Sequence, residues 1–295
     1  MAQKWSGKTQ GGTFGQKVIY CYFRYGSLRV MYGLLFFVIP FYMIFAREGY
    51  RVSSWYAKNI LKLKSRRIPF FVFRNFYAFG KVFLDRFAIF GSDKQKFSFS
   101  VENNHLLTVL LNQPEGFLIA SAHIGNYEIL SYSFDQVEKK IYPILYGEEA
   151  QVFQKHRARF FQQNNLEPIV LTHDGSHIFE ISNALKEGNI VSMPADRTLG
   201  NTKLFDMDFL GQTAPFPAGI FHLAITLNLP LLTIFVVKER YRHYKVFIQK
   251  LTPPSLGTKE EKALLLCREY VKSLENIVLQ YPEQWYNFYP FWKCQ

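Results

Sequence analysis

Gly116-Phe117-Leu118-Ile119-Ala120-Ser121-Ala122-His123-Ile124-Gly125-Asn126-Tyr127-Glu128 runs from a short apolar segment straight into a histidine, a glycine and a carboxylate. A brief apolar run closed by turn residues reads as a strand. Five positions separate His123 from Glu128, about 500° of α-helix, so the two side chains could not share a face if both were helical. The histidine therefore belongs to a strand-to-helix turn. Gly125 permits the sharp bend, Asn126 is a good N-cap, and Glu128 then falls in the first helical turn with its carboxylate able to reach back to the ring. A carboxylate on one imidazole nitrogen fixes the tautomer and leaves the other nitrogen to take a proton from a hydroxyl, so His123 and Glu128 are the catalytic candidates.

Downstream of this turn, short β-type runs alternate with helical stretches: 140–145, a helix near 150–164, 167–171, a helix near 177–187, and 190–194. An extended region at 203–209, a helix at 217–227, strands at 231–238 and 244–251 and a closing helix at 259–279 complete the pattern. Strand-helix alternation predicts an α/β fold, a mostly parallel mixed sheet flanked by helices. Residues 69–115 read as mainly helical. Ligand sites in open α/β sheets lie at the carboxyl ends of strands, where His123 falls and where Asp196 and Arg197 follow the apolar run 190–195. Gly211 to Gly219 reads as a loop feeding a helix whose N-terminal amides suit an anion or a developing oxyanion.

Composition points to an anionic interface. The 295 residues carry a formal charge of +12 together with 18% aromatic residues, 30 of them Phe, which suits a membrane leaflet, an acidic protein or nucleic acid. From Val30 to Ala46 the chain has no charge, and Arg24, Arg29, Arg47 and Arg51 flank it. At 1.5 Å per residue this segment would measure roughly 26 Å, short of a hydrocarbon core of about 30 Å, and it contains Pro40. Basic residues lie on both sides, including Lys58, Lys62, Lys64, Arg66 and Arg67, so a span and an in-plane helix are both open. The chain divides into a basic segment with a hydrophobic membrane-anchoring helix, 1–68, and an α/β domain, 69–295. Cys21, Cys267 and Cys294 form no pair at metal or redox spacing, consistent with a reduced, cytoplasm-facing domain.

The box His123-Ile-Gly-Asn-Tyr-Glu128 resembles the His-x-x-x-x-Asp/Glu box of the glycerolipid acyltransferase superfamily, and its interior is most similar to the bacterial lipid A biosynthesis (late) acyltransferases. Later features follow in the same order. Asp196 precedes Phe209-Leu210-Gly211 as the family's aspartate precedes its Phe-x-Gly segment, Leu229-Pro230-Leu231-Leu232 resembles the last superfamily block, and Pro282-Glu283-Gln284-Trp285 resembles the family's terminus, read as packing or interface. The superfamily's Phe-Pro-Glu-Gly block appears as Phe216-Pro217-Ala218-Gly219, without the glutamate, which favours the lipid A type over a glycerol-phosphate acceptor.

The resemblance implies an acyltransferase moving a fatty acyl chain from an acyl carrier protein or coenzyme A thioester to a hydroxyl or amine of a membrane lipid, a lipid A type glycolipid first. Lysophospholipid, aminoacyl lipid and polyene lipid acceptors, or a non-catalytic lipid-binding relative, are the alternatives. It implies Arg157 or Arg159 as a ligand of a phosphate or of phosphopantetheine, with Asp196, Arg197 and Gly219 as further substrate-binding positions. It places the protein at the bacterial inner membrane with the catalytic domain facing the cytoplasm. No metal or cofactor is expected: Gly-x-Ser-x-Gly, His-Glu-x-x-His and Gly-x-Gly-x-x-Gly are all absent. A nucleic-acid partner is not expected, because Phe residues in apolar surroundings do not form an interleaved basic and aromatic surface.

Overall fold

The computed structural model describes residues 27–90, 96–129, 138–146, 165–172, 175–197 and 202–292. The helix expected near 150–164 lies outside the described residues. So do Arg157 and Arg159.

Seven strands form one sheet in the order β1 (Ser98–Glu102), β9 (His243–Leu251), β8 (Leu231–Arg240), β2 (Phe117–Ser121), β5 (Ile190–Pro194), β3 (Ile141–Tyr146) and β4 (Ile169–Leu171). All neighbours run parallel except β8 and β9, which form an antiparallel pair. This is the α/β, mostly parallel mixed sheet that the alternation predicts. β2 is fully buried, and its pleat divides its side chains between two cores. Leu118, Ala120 and Ala122 enter one with Leu266, Tyr270 and Leu274, while Phe117 and Ile119 enter the other with Leu84, Ala88, Leu107 and Leu110. A central strand of a layered sheet must be apolar on both faces for this reason.

The helices in chain order are α1 (Leu28–Phe45), α2 (Arg47–Trp55), α3 (Ile68–Phe90), α4 (Asn104–Leu111), α5 (Ser176–Lys186), α6 (Gly219–Leu227) and α7 (Lys259–Gln280). α7 opens with a capping box: Thr258 Oγ1 accepts from the Glu261 N–H and the Glu261 carboxylate accepts from the Thr258 N–H.

Residues 69–115 are mainly helical, as expected, with one strand among them: Ser98–Glu102 forms β1 on the edge beside β9, its signal the alternation of Phe97, Phe99 and Val101. One expectation needs correction. The segment after Gly211 is not a loop: β7 (Gln212–Pro217) pairs antiparallel with β6 (Leu204–Phe209) in a separate ribbon. Leu210 and Gly211 both have positive φ, 56° and 75°, the two-residue turn that matches the twist of a hairpin. A two-stranded ribbon is all edge, so it tolerates Pro215 and Pro217.

α1 carries two apolar stripes. Leu28, Tyr32, Leu35, Ile39 and Met43 pack inward, where Ile39 meets Val72 and Phe76 of α3. Val30, Leu34, Phe37, Phe41 and Ile44 face outward and are exposed. The helices approach closely: a Cβ on Gly80 of α3 would lie 2.7 Å from Leu35 Cδ2.

Candidate active site

The β2–β5 ladder ends at the pair Ser121 and Pro194, and the Ala195 N–H still donates to Ser121 O at 2.9 Å. Two residues beyond these partners stand His123 and Asp196, so equal overrun of adjacent parallel strands brings them side by side. Asp196 Oδ1 lies 2.7 Å from His123 Nδ1, and Oδ2 accepts from the His123 backbone N–H at 2.8 Å and from Trp285 Nε1–H at 3.1 Å. Both residues are buried, His123 at 6% exposure and Asp196 at 2%. No hydrogen bond to Nε2 is formed among the described residues. A carboxylate can only accept, so it assigns the proton to Nδ1 and leaves the lone pair on Nε2.

The turn after His123 is held by distant chain. Gly125 has φ +56°, and a Cβ there would lie 2.0 Å from Val236 O, so only glycine fits. Its N–H donates to Gln284 O at 2.8 Å, and the Tyr286 N–H donates to His123 O at 2.9 Å. The Asn126 N–H donates to Val236 O at 2.7 Å. A 3-10 turn follows at 127–129, closed by the Ile129 N–H on Asn126 O at 3.1 Å.

This geometry revises how the box works. Glu128 does not supply the carboxylate at His123 Nδ1. It pairs with Arg86 of α3, and both side chains are largely buried. Asn126 stands where expected, just before the turn, but its side chain does not cap it: its Oδ1 accepts from Arg86 Nε at 3.0 Å and its Nδ2 donates to Tyr244 Oη at 3.2 Å. The short turn after Gly125 points Glu128 toward α3 instead of back to the ring. Tyr127 packs edge-to-face on the imidazole at 5.0 Å and lies beneath the Arg86 guanidinium at 5.2 Å.

Asp196, expected to touch substrate, engages both oxygens on His123 and Trp285. Arg197 stands beside it, with one N–H donating to Tyr286 O at 3.4 Å and its guanidinium 5.7 Å from the Tyr289 ring. Gly219 opens α6, outside this hydrogen-bonded group. Trp285, Tyr286 and Gln284 hold the His123 turn, a role beyond the packing expected of the Pro-Glu-Gln-Trp segment. Arg86 carried one clue, a charged pair with Asp85 inside the Phe-rich run 83–90.

Burial pushes the His123 pKa below its usual value, Arg197 and Arg86 push the same way, and Asp196 opposes them. Burial works against the Asp196 charge, but the His123 ring, Arg197 and the His123 N–H outweigh it and hold that carboxyl below its ordinary range. The pair is therefore a neutral imidazole on an ionised carboxylate at neutral pH, the protonation state in which an imidazole can accept a proton. Among the described residues, no three His, Cys, Asp or Glu side chains are grouped to hold a metal ion.

The family model described as bacterial lipid A biosynthesis acyltransferase matches residues 67–294. No curated protein matches the chain. Among solved structures, it is similar to the 1-acyl-sn-glycerophosphate (LPA) acyltransferase PlsC from Thermotoga maritima at 12% identity, with a TM-score of 0.41, over 86% of this chain and 95% of that one.

Proposed function

The chain belongs to the bacterial lipid A biosynthesis acyltransferase family, and from that membership we propose that it moves a fatty acyl chain from an acyl carrier protein or coenzyme A thioester to a hydroxyl or amine of a lipid A type glycolipid at the inner membrane. An acyltransferase activity comes with the family. The observation that supports a competent site in this chain is His123 with Nδ1 on Asp196 and Nε2 without a hydrogen bond among the described residues.

In this reading His123 Nε2 takes the proton of the acceptor hydroxyl or amine as that atom attacks the thioester carbonyl. The tetrahedral intermediate collapses, the C–S bond breaks, and the leaving thiolate recovers the proton from the imidazolium. Asp196 keeps the ring in its working tautomer and stabilises the transient cation. General base catalysis of this kind is worth about 10²–10⁴ in rate. Arg197, beside the imidazole, receives charge developing on the thioester oxygen, about 2.7–4 kcal/mol for such a donor. Glu128 supports the site through Arg86. Arg157 or Arg159 remains assigned to a phosphate or the donor's phosphopantetheine, and the amides opening α6 at Gly219 to an anion or the developing oxyanion. An acidic carrier protein fits the +12 charge better than it fits a neutral enzyme.

The outward stripe of α1 supports a membrane-facing surface. α1 packs along α3, which carries Arg74, Lys81, Asp85 and Arg86, so α3 cannot accompany it through hydrocarbon. We therefore read α1 as lying in one leaflet, with exposed Lys58, Lys62, Lys64, Arg66 and Arg67 meeting anionic headgroups and the catalytic domain on the cytoplasmic side.

The test is transfer from labelled acyl carrier protein or coenzyme A thioesters into a total lipid extract in detergent, wild type against His123→Ala. Label entering one lipid only with wild type identifies the acceptor by mass. Absence of labelled lipid with either donor, from a folded protein that binds lipid, would sink the catalytic reading.

A further inference from the structure

Asp85 on α3 is wholly buried, and three donors converge on it. Tyr32 of α1 donates to Oδ1, while Tyr244 of β9 and Lys238 Nζ, the latter at 2.6 Å, donate to Oδ2. This cluster continues into the histidine box. Tyr244 Oη accepts from Asn126 Nδ2, Asn126 Oδ1 accepts from Arg86 Nε, and Arg86 pairs with Glu128.

The direction of every bond in this chain is set by its ends. Arg86 can only donate, so Asn126 must present its oxygen to Arg86 and its NH₂ to Tyr244. Asp85 can only accept, so Tyr244 must spend its proton there and accept from Asn126. No member can reverse without leaving a buried donor facing a donor. Asn126 adjoins Gly125, whose left-handed backbone aims His123, and the Tyr127 ring lies between the imidazole, which it meets edge-to-face, and the Arg86 guanidinium.

We propose that Asp85 and Tyr32 are positioning residues of the acyl-transfer site, so that docking of the apolar helix α1 onto α3 completes the histidine turn. The helix that meets the lipid surface thereby contributes a hydroxyl to the polar chain that ends at the box. Lys238 ties the same cluster to the far side of the turn, since its N–H donates to Gln284 Oε1 at 2.8 Å and Gln284 Nε2 donates to Lys238 O at 2.7 Å. This inference rests on the acyltransferase reading for its kinetic consequence, not for its structural one.

Amide hydrogen exchange on the full chain in detergent separates the two. Tyr32→Phe and Tyr244→Phe each remove one hydroxyl and keep the ring, so they test the cluster even if Asp85→Asn fails to fold. We expect exchange across 117–129 to rise about fivefold in each, the scale of one buried hydrogen bond, with 204–217 unchanged. Transfer should show kcat lowered by a similar factor and an unaltered donor KM, and Tyr32→Phe combined with Tyr244→Phe should cost less than the product of the single effects. Unchanged exchange at 117–129, or an equal rise at 204–217, overturns the proposal. Faster exchange at 117–129 in a parent protein that transfers no acyl group leaves the positioning intact and removes the catalytic reading instead.

Discussion

Replacing Asp196 with Asn tests the active site most directly, because the change preserves shape and alters only what each atom can accept. The Oδ2 side faces two donors, the His123 backbone N–H at 2.8 Å and Trp285 Nε1–H at 3.1 Å, whereas the Oδ1 side faces one ring nitrogen at 2.7 Å. An amide has one oxygen to place. On the Oδ1 side it leaves two buried N–H groups facing an NH₂, at about 1–3 kcal/mol each. On the Oδ2 side it satisfies both, and the NH₂ then faces His123 Nδ1. The ring answers by moving its proton to Nε2, the nitrogen that must accept from the substrate. Loss of the base in this way lowers kcat by about 10²–10⁴, or roughly 2.7–5.4 kcal/mol of barrier, while the protein stays folded. The assay is single-turnover transfer from labelled acyl thioester, with thermal melts alongside. A kcat within about threefold of wild type would refute the tautomer argument. Glu128→Gln is the companion: it should leave the tautomer alone and lower the melting temperature, because it strips a buried guanidinium of a carboxylate, a loss of about 3–5 kcal/mol. Inactive, well-folded Glu128→Gln beside active Asp196→Asn would instead make the box carboxylate the partner of His123.

Three further outcomes are expected. The His123 pKa lies below its usual value and the neutral ring is the working form, so kcat/KM falls as pH drops through that lowered pKa; with Asp196, Arg197 and Arg86 acting on the ring, Arg197→Gln should move this acid limb to higher pH, and a limb that stays put or moves down contradicts the assignment. Gly125→Ala forces a Cβ to within 2.0 Å of Val236 O at φ +56°, so it should cost at least about 2 kcal/mol and abolish transfer; a wild-type melting temperature would show that the turn tolerates the side chain. Phe37 and Phe41 are 69% and 63% exposed, so Phe37→Glu with Phe41→Glu should weaken binding to anionic vesicles at least tenfold, and undiminished co-sedimentation would exclude α1 as the lipid-facing element.

What the sequence disclosed followed local chemistry. The buried strand 117–121, the turn at His123 and the glycine bend at 125 are each written in a few consecutive residues, and periodicity carried the α/β alternation. The partner of His123 was not local. Asp196 reaches it because β2 lies beside β5 in matched register, a fact of strand order across 73 residues that no periodicity encodes. Spacing alone nominated Glu128, the nearest carboxylate along the chain, which the structure turns toward Arg86. The 210–211 turn between alternating apolar positions was a readable hairpin signal, obscured by the two prolines that follow. Tyr244 left no site signature, Arg86 only its charged pair with Asp85 in a Phe-rich run, and Trp285 only a place in a segment read as packing, because the role of each depends on neighbours distant in the chain.

The hold of Gln284, Trp285 and Tyr286 on the histidine turn has a consequence for synthesis. These residues follow every strand of the sheet and the whole of α7 in chain order, so a nascent polypeptide with its seven strands already made still lacks the N–H donors that seat Asp196 and the His123 carbonyl. Domains acquire structure as they emerge. In the proposed reading of the site, a half-made chain presents the His123 imidazole without its settings, and the base is assembled only after residues 284–286 have folded back over the sheet.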